Sequence, residues 1–272
     1  MIVSFHGEYS WDLAAVAPFA YWLHQHGELE KTIGPVGSKP IYFFSPNHEE
    51  NGMRMGGNTS FNPLEGTGCV VGGDIYEEVL HTEKWTLPPY KEHFKNTRFT
   101  FDKPLLIINN KYTEEWRKPP VNFLGVEVLF RICRALCDKY QIVYIRPTFK
   151  ERGIADDGHE LYDWFDYEVL RHRFGGKVLF FNDLLAINPD LGFNDLQFML
   201  SANCERFISV QGGNAFVSCC FGGKNIVYAN AKSEHTKCYW PGAYTSHRFG
   251  CDVHFVHSIQ LNVVGKALEL YG

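Results

Sequence analysis

The stretch from Arg206 to Asn230 constrains the fold more than any other part of this chain. Phe207-Ile-Ser-Val210 is a short aromatic and β-branched run, the kind that fills a strand buried on both faces of a parallel sheet. Gly212 and Gly213 follow at once, and a glycine pair permits both positive φ and close approach of a ligand to the backbone. From Asn214 or Ala215 the small residues Ala215, Ser218, Cys219 and Cys220 predict a slim helix, which Gly222-Gly223 ends before a second strand at Ile226 to Tyr228. The unpaired N–H groups of a helix start then point at the turn and favour an anion such as a phosphate. A tight connection with no ligand is spelled the same way, so the remainder of the chain has to discriminate.

The same alternation extends through the second half. Leu105 to Ile108, Gln141 to Ile145, Lys177 to Phe181 and Val253 to Val256 read as further strands. Helical patterns fill Val121 to Tyr140, Asp156 to Arg173, Asn194 to Ala202 and Ser258 to Leu270, which predicts a parallel, doubly wound sheet. The first half opens on a strand at Ile2 to Phe5, a polar loop and a helix reaching Gln25. A second strand is expected at Pro40 to Pro46, loop from Asn47 to Gly68, a short strand at Cys69 to Val71 and a short helix at Asp74 to His81. The segment Gly66 to Asp74 has the glycines of a phosphate loop but no Gly-Lys-Ser/Thr ending, and reads as turn, strand and helix start. Trp85 to Lys103, with Pro88-Pro89 and many charges, reads as the connection between halves. The expected organisation is α/β, with two Rossmann-like halves facing a cleft: residues 1–103, to which the C-terminal helix is able to return, and residues 104–272.

Composition narrows the partners. A net charge of −5 with no basic run argues against extensive nucleic-acid contact. No run of about 18 apolar residues and no signal-like start is present, so no membrane span and a cytoplasmic location are expected. The eight cysteines form no C-x-x-C pair and the twelve histidines no H-E-x-x-H, so neither a metal nor a cofactor is expected.

Three local patterns make the chain resemble glycosyltransferases of the GT-B fold, bacterial heptosyltransferases in particular. The strand-Gln211-Gly-Gly-Asn214-helix-Gly-strand run resembles their D-[ST]-G-x-x-H-x-A-x-A-x-x-x-P segment, although Gln211 replaces the usual acid and Phe216 or Val217 the usual histidine. Gly7-Glu8 through Pro18 resembles their N-terminal loop, in which an aspartate six residues before a proline acts as catalytic base; Asp12 and Pro18 have that spacing. An aspartate there also suits a helix N-cap, with Glu8 and His6 as substitute bases. Strand Leu105 to Ile108 leads into Asn109-Asn110-Lys111, which resembles the place where these enzymes set a lysine against the donor phosphates.

The resemblance implies a nucleotide-sugar donor and a glycan or glycoprotein acceptor. The donor side would comprise Lys111, Asn110, Arg146 at the end of the next strand, Gln211, Gly212, Gly213 and Asn214, with Asp183 near the base. Lys111 as a solvated loop residue and Arg146 as a structural ion-pair partner are the plain alternatives. No D-x-D motif is present, which fits a metal-independent, inverting transfer. Length and aromatic style also resemble the small soluble glycosyltransferases of large algal viruses, including the xylosyltransferase type, and imply a UDP-sugar such as UDP-xylose. A nucleotide-sugar epimerase and a non-catalytic glycan-binding protein of the same fold remain alternatives.

Overall fold

The computed structural model describes residues 1–54, 82–114, 119–147, 161–230 and 244–272. The expectations for Cys69 to Val71, for Asp74 to His81 and for the glycines of Gly66 to Asp74 lie outside them, as does the start of the helix expected at Asp156.

In the first half β1 (Ile2–Ser4), β2 (Lys31–Gly34) and β3 (His48–Glu50) form a parallel sheet in that order. Between β1 and β2 the chain is helical over three consecutive segments. These are α1 (Tyr9–Trp11), a π-helical turn (Asp12–Val16) and α2 (Ala17–Gln25). The amide of Ala17 donates to the carbonyl of Asp12, the i→i+5 bond of a π-turn. The indole N–H of buried Trp85 donates to the Ala14 carbonyl at 2.8 Å, fastening the turn to the connection between halves.

The expected strand at Pro40 to Pro46 is instead a series of turns: Tyr42 N–H bonds back to the carbonyls of Ser38 and Lys39, and Ser45 N–H to Tyr42. Its apolar residues pack as turns do, with Ile41 and Tyr42 buried under α2 and the connection. The second and third strands are Lys31–Gly34 and the polar His48–Glu50, the latter within the expected loop. Both are short and neither carries an apolar run. They are held by backbone pairing and by a 2.5 Å ion pair between Lys31 and Glu49 across the sheet.

The connection is a packed strap. It contains α3 (Tyr90–Phe94), whose Tyr90 hydroxyl donates to the Ile41 carbonyl and whose ring meets Phe198 and Phe221 of the second half. Arg98 clasps Asp190 with both terminal nitrogens, at 2.7 and 2.8 Å.

The second half holds β4 (Leu105–Asn109), β5 (Gln141–Ile145), β6 (Val178–Phe180), β7 (Arg206–Val210), β8 (Lys224–Ala229) and β9 (Asp252–His257). All pair in parallel in the order β6-β5-β4-β7-β8-β9, which is the doubly wound 3-2-1-4-5-6 arrangement. Strand periodicity divides the core. Leu106, Ile108, Ile208 and Ile226 face α4 (Val126–Leu136), α5 (Asp166–Phe174) and α10 (Leu261–Tyr271). Leu105, Ile107, Phe207 and Val227 face the other layer, built from α6 (Phe181–Ile187), α7 (Phe193–Ala202), α8 (Gly213–Cys220) and α9 (Tyr244–Phe249). The apolar cluster of that layer continues without a break into Phe5, Leu13, Val16 and Leu23 of the first half.

Helix α10 closes the described chain. It packs on α4 and on the second sheet, where the Tyr271 hydroxyl lies 3.0 Å from the Phe207 carbonyl and 3.1 Å from that of Lys224. Among the described residues no helix is long and apolar enough to cross a membrane.

Candidate functional site

In a doubly wound sheet the crevice for a ligand opens where the strand order reverses, at the carboxyl ends of the two central strands. Here those strands are β4 and β7, paired through Asn109 and Ser209. Gly212, just beyond β7, has φ 126° and ψ −167°, a conformation essentially confined to glycine. It swings the chain from the strand straight into α8, whose first residue is Gly213. A buried polar trio holds α8 down on the sheet. Asn109 Nδ2 donates to Ser218 Oγ at 2.9 Å, Ser209 Oγ is 3.1 Å from the same atom, and Ser218 in turn bonds the carbonyl of Asn214.

Two groups close on this turn. Lys111, from the loop after β4, brings its ammonium so near that a β-carbon added to Gly212 would lie 3.1 Å from Nζ. From the first half Tyr9 arrives against Gly213, where an added β-carbon would meet the ring at 2.7 Å. The absent side chains at Gly212 and Gly213 therefore give room to a cation and to the opposite half of the molecule. The Tyr9 hydroxyl donates to Asn194 Oδ1 at 3.1 Å, and Asn194 Nδ2 donates back to the Gly37 carbonyl at 2.6 Å, so the halves are stitched beside the turn. Asn214 accepts from Gln197 at 3.2 Å and stays half-buried.

One turn of helix from Tyr9 lies Asp12, with no solvent exposure. Its carboxylate caps no backbone N–H; Glu8 occupies the N-cap position of α1, and only its backbone carbonyl is engaged there. Asp12 instead accepts from the Tyr42 hydroxyl through Oδ1 and pairs with Arg54 Nη2 at 2.9 Å through Oδ2. Arg54 also donates to the Gly7 carbonyl at 2.7 Å, and its guanidinium lies 5.1 Å from the centre of the Tyr9 ring. Burial, then the negative Asp12 beside it, hold the Tyr42 hydroxyl well above the usual tyrosine range. Tyr9 is raised chiefly by burial as well, with the Arg54 charge opposing. Tyr42 in turn stacks on His48, 5.1 Å between centroids. The His48 ring is fixed by the hydroxyls of Thr32 and Ser38, and burial lowers its basicity.

The remaining residues singled out in the sequence have other places. Arg146 lies at the carboxyl end of β5 as expected, but it is 2% exposed. It is spent on Asp166, with Nε and Nη2 each 2.8 Å from a carboxylate oxygen, and is wedged against the rings of Tyr112 and Tyr167. Both contacting nitrogens of its guanidinium are thereby engaged by one buried carboxylate. Asn110 is fully buried, its side chain satisfied by both backbone groups of Leu124 and by the Tyr144 hydroxyl, so it shapes the loop that presents Lys111. Asp183 sits on the surface in a bidentate pair with Arg171, at 2.7 and 3.1 Å. Gln211 is buried, and its backbone N–H donates to the Tyr228 carbonyl at 2.9 Å. His6 donates through Nε2 to the carbonyl and side-chain oxygens of Asn51, both at 2.9 Å, and the Glu8 side chain is exposed. The structure thus brings together Lys111, Gly212, Gly213 and Asn214, joins them to the Asp12–Arg54 pair by way of Tyr9, and engages Arg146, Asn110 and Asp183 with other partners. Arg54, Tyr42 and Tyr9 were not foreseen, because only the fold makes them neighbours.

No family model matches the sequence, and comparison with curated proteins finds no match. In three dimensions the chain resembles a glycosyl transferase family 9 protein from Veillonella parvula, with a TM-score of 0.55 at 9% identity, covering 100% of this chain and 89% of that one. It also resembles the ADP-heptose LPS heptosyltransferase II of E. coli, with a TM-score of 0.59 at 9% identity, covering 94% of this chain and 89% of that one. The fold is that of the GT-B glycosyltransferases.

Proposed function

We propose that this chain is a glycosyltransferase that moves a sugar from a nucleoside-diphosphate sugar to a hydroxyl of a glycan acceptor. The observation that carries the reading is the convergence at Gly212-Gly213: a glycine-only turn at the switch point of the donor-type sheet, the Lys111 ammonium against it, and the Asp12 cluster one helical turn from Tyr9. In this reading the N–H groups at the start of α8 and the Lys111 charge hold the donor diphosphate and stabilise the negative charge that grows on it as it leaves. Asp12, in the same reading, takes the proton of the acceptor hydroxyl, exchanging the bond it accepts from Tyr42 or Arg54 for one from the acceptor as the site opens to it. The hydroxyl oxygen forms the new bond to the anomeric carbon, and the electron pair of the broken carbon–oxygen bond departs on the diphosphate. This single displacement inverts the anomeric centre. Charge neutralisation by Lys111 and the helix start is the metal-independent route.

The E. coli structural neighbour is named for ADP-heptose, whereas the sequence suggested a UDP-sugar such as UDP-xylose. The donor is identified by thermal-shift titration with UDP, ADP, GDP and CMP and their sugar conjugates, since a ligand that binds only the native state raises apparent stability. One nucleotide selectively stabilising the protein, with the effect lost in Lys111→Ala, is the expected result. No stabilisation by any of them at millimolar concentration overturns the proposal.

A further inference from the structure

Two adjacent aromatic side chains, Trp164 and Phe165, stand out of the core, 42% and 63% exposed. Such residues standing out of a core this aromatic need a reason. Their setting is rigid. Trp164 stacks on Tyr112 with centroids 5.5 Å apart and planes 15° from parallel, and Phe123 leans on it at 4.8 Å. Tyr112 is itself fully buried, tied by its hydroxyl to the Leu124 carbonyl at 2.8 Å, with the Arg146 guanidinium 5.2 Å from its ring centre. The loops that carry the two rings are joined by the Tyr162 N–H to the Tyr112 carbonyl, 2.7 Å, and by a bridge from Thr113 to Leu161. Phe165 has φ 59° and ψ 19°, a left-handed conformation that a bulky side chain adopts at a cost and that clusters at ligand clamps.

Position supplies the ligand. Tyr112 follows Lys111 directly, and Lys111 is the residue whose ammonium meets Gly212. The stacked rings therefore stand on the same carboxyl edge of the sheet, beyond β4 and β5, as the turn at Gly212-Gly213 beyond β7. We propose that Trp164 is the stacking surface for the planar base of the donor nucleotide. Tyr112, Phe123 and Arg146 hold the indole in place, and Phe165 borders it. The inference rests on the donor-site reading above and adds a second, uncharged contact to it. An indole face accepts any base, so base identity is left to the polar groups around it.

The test compares binding of two probes, a nucleoside diphosphate (UDP or ADP, whichever stabilises the protein) and inorganic pyrophosphate, to the full chain and to Trp164→Ala, Trp164→Phe and Lys111→Ala by titration calorimetry. Trp164→Ala is expected to weaken the nucleoside diphosphate by about tenfold or more, the usual effect of deleting a base-stacking ring. It should leave pyrophosphate unchanged, while Trp164→Phe retains most of the affinity and Lys111→Ala weakens both probes. Full nucleotide affinity in Trp164→Ala alongside a defect in Lys111→Ala overturns the stacking role and spares the donor site. Equal loss of both probes in Trp164→Ala, with no rescue by Phe, also overturns it, since the ring then only supports the loop. If no nucleotide binds the wild type, both proposals fall.

Discussion

The guanidinium of Arg54 lies 2.9 Å from Oδ2 of Asp12, a carboxylate with no exposed surface. Two charges removed from water in this way tolerate one another and little else. Deleting either partner strands the other, at a cost of about 3–5 kcal/mol. Arg54→Ala is therefore expected to lower the urea midpoint markedly. Asp12→Asn keeps the shape and the bond from Tyr42 and is expected to be milder. If Asp12 is the base, Asn at this position abolishes sugar transfer while nucleotide affinity is retained. Transfer at the wild-type rate in Asp12→Asn would remove it from the mechanism.

Arg146 makes the opposite prediction. Its pair with Asp166 is wholly interior, and the cation is flanked by Tyr112 and Tyr167. Arg146→Ala is expected to destabilise the fold by about 3–5 kcal/mol. Lys in its place should not restore stability, because a point charge cannot make the two-pronged contact. Denaturant unfolding of both variants checks this, and pyrophosphate affinity measured on the folded fraction should be unchanged.

The glycine pair separates two kinds of constraint. Gly212→Ala meets only the flexible end of Lys111 but forces a side chain into φ 126°, with a strain of about 1–3 kcal/mol. Gly213→Ala has no such positive φ, yet its methyl would strike the Tyr9 ring at 2.7 Å and push the halves apart beside the turn. Tyr9→Ala should relieve Gly213→Ala and leave Gly212→Ala as impaired as before, a difference that a double-variant cycle of unfolding free energies reads directly.

Stability should vary with pH at both ends of the range. Burial holds His48 below its usual value of 6.5, so the unfolded chain takes up a proton first as the solution becomes acidic. The contribution of a neutral His48 is present above that value and is lost as pH falls through the lower folded-state one. Thermal melts below pH 6.5 should show His48→Gln less acid-sensitive than the wild type. At the alkaline end Tyr42, Tyr90 and Tyr144 are all raised, by burial first. Their contribution is present below pH 10 and lost as the unfolded chain ionises above it, with phenolate absorbance appearing together with unfolding.

The second half was legible in the sequence because its signals are local. Three apolar residues and two glycines at 207–213 locate strand, turn and helix, and the observed β7 and α8 start within one or two residues of the expectation. The first half was less so. Residues 40–46 are apolar enough for a strand, and only tertiary packing bends them into turns, whereas His48–Glu50 pairs through its backbone with no apolar signal at all. Arg146 shows the limit for a site. A cation at the right end of the right strand is spelled identically whether it meets a ligand or the buried Asp166, twenty residues later in the chain. That Lys111 comes against Gly212 is likewise a tertiary contact, which no spacing encodes.

The wide turn at Asp12–Val16 makes the site depend on residue count as well as residue kind. An α-helix advances about 100° per residue, so one extra residue in a turn shifts the phase of everything before it by about that angle. Tyr9 and Asp12 point at Gly213 and Arg54 because of this offset, while α2 beyond it keeps its apolar side on the core. Removing one alanine from Ala14-Ala15 would scarcely alter the hydrophobicity of the helix, and an ordinary α-turn could close in its place. The tyrosine and the aspartate would then face elsewhere, and a folded protein would have lost their contacts with Gly213 and Arg54 by a single step in register.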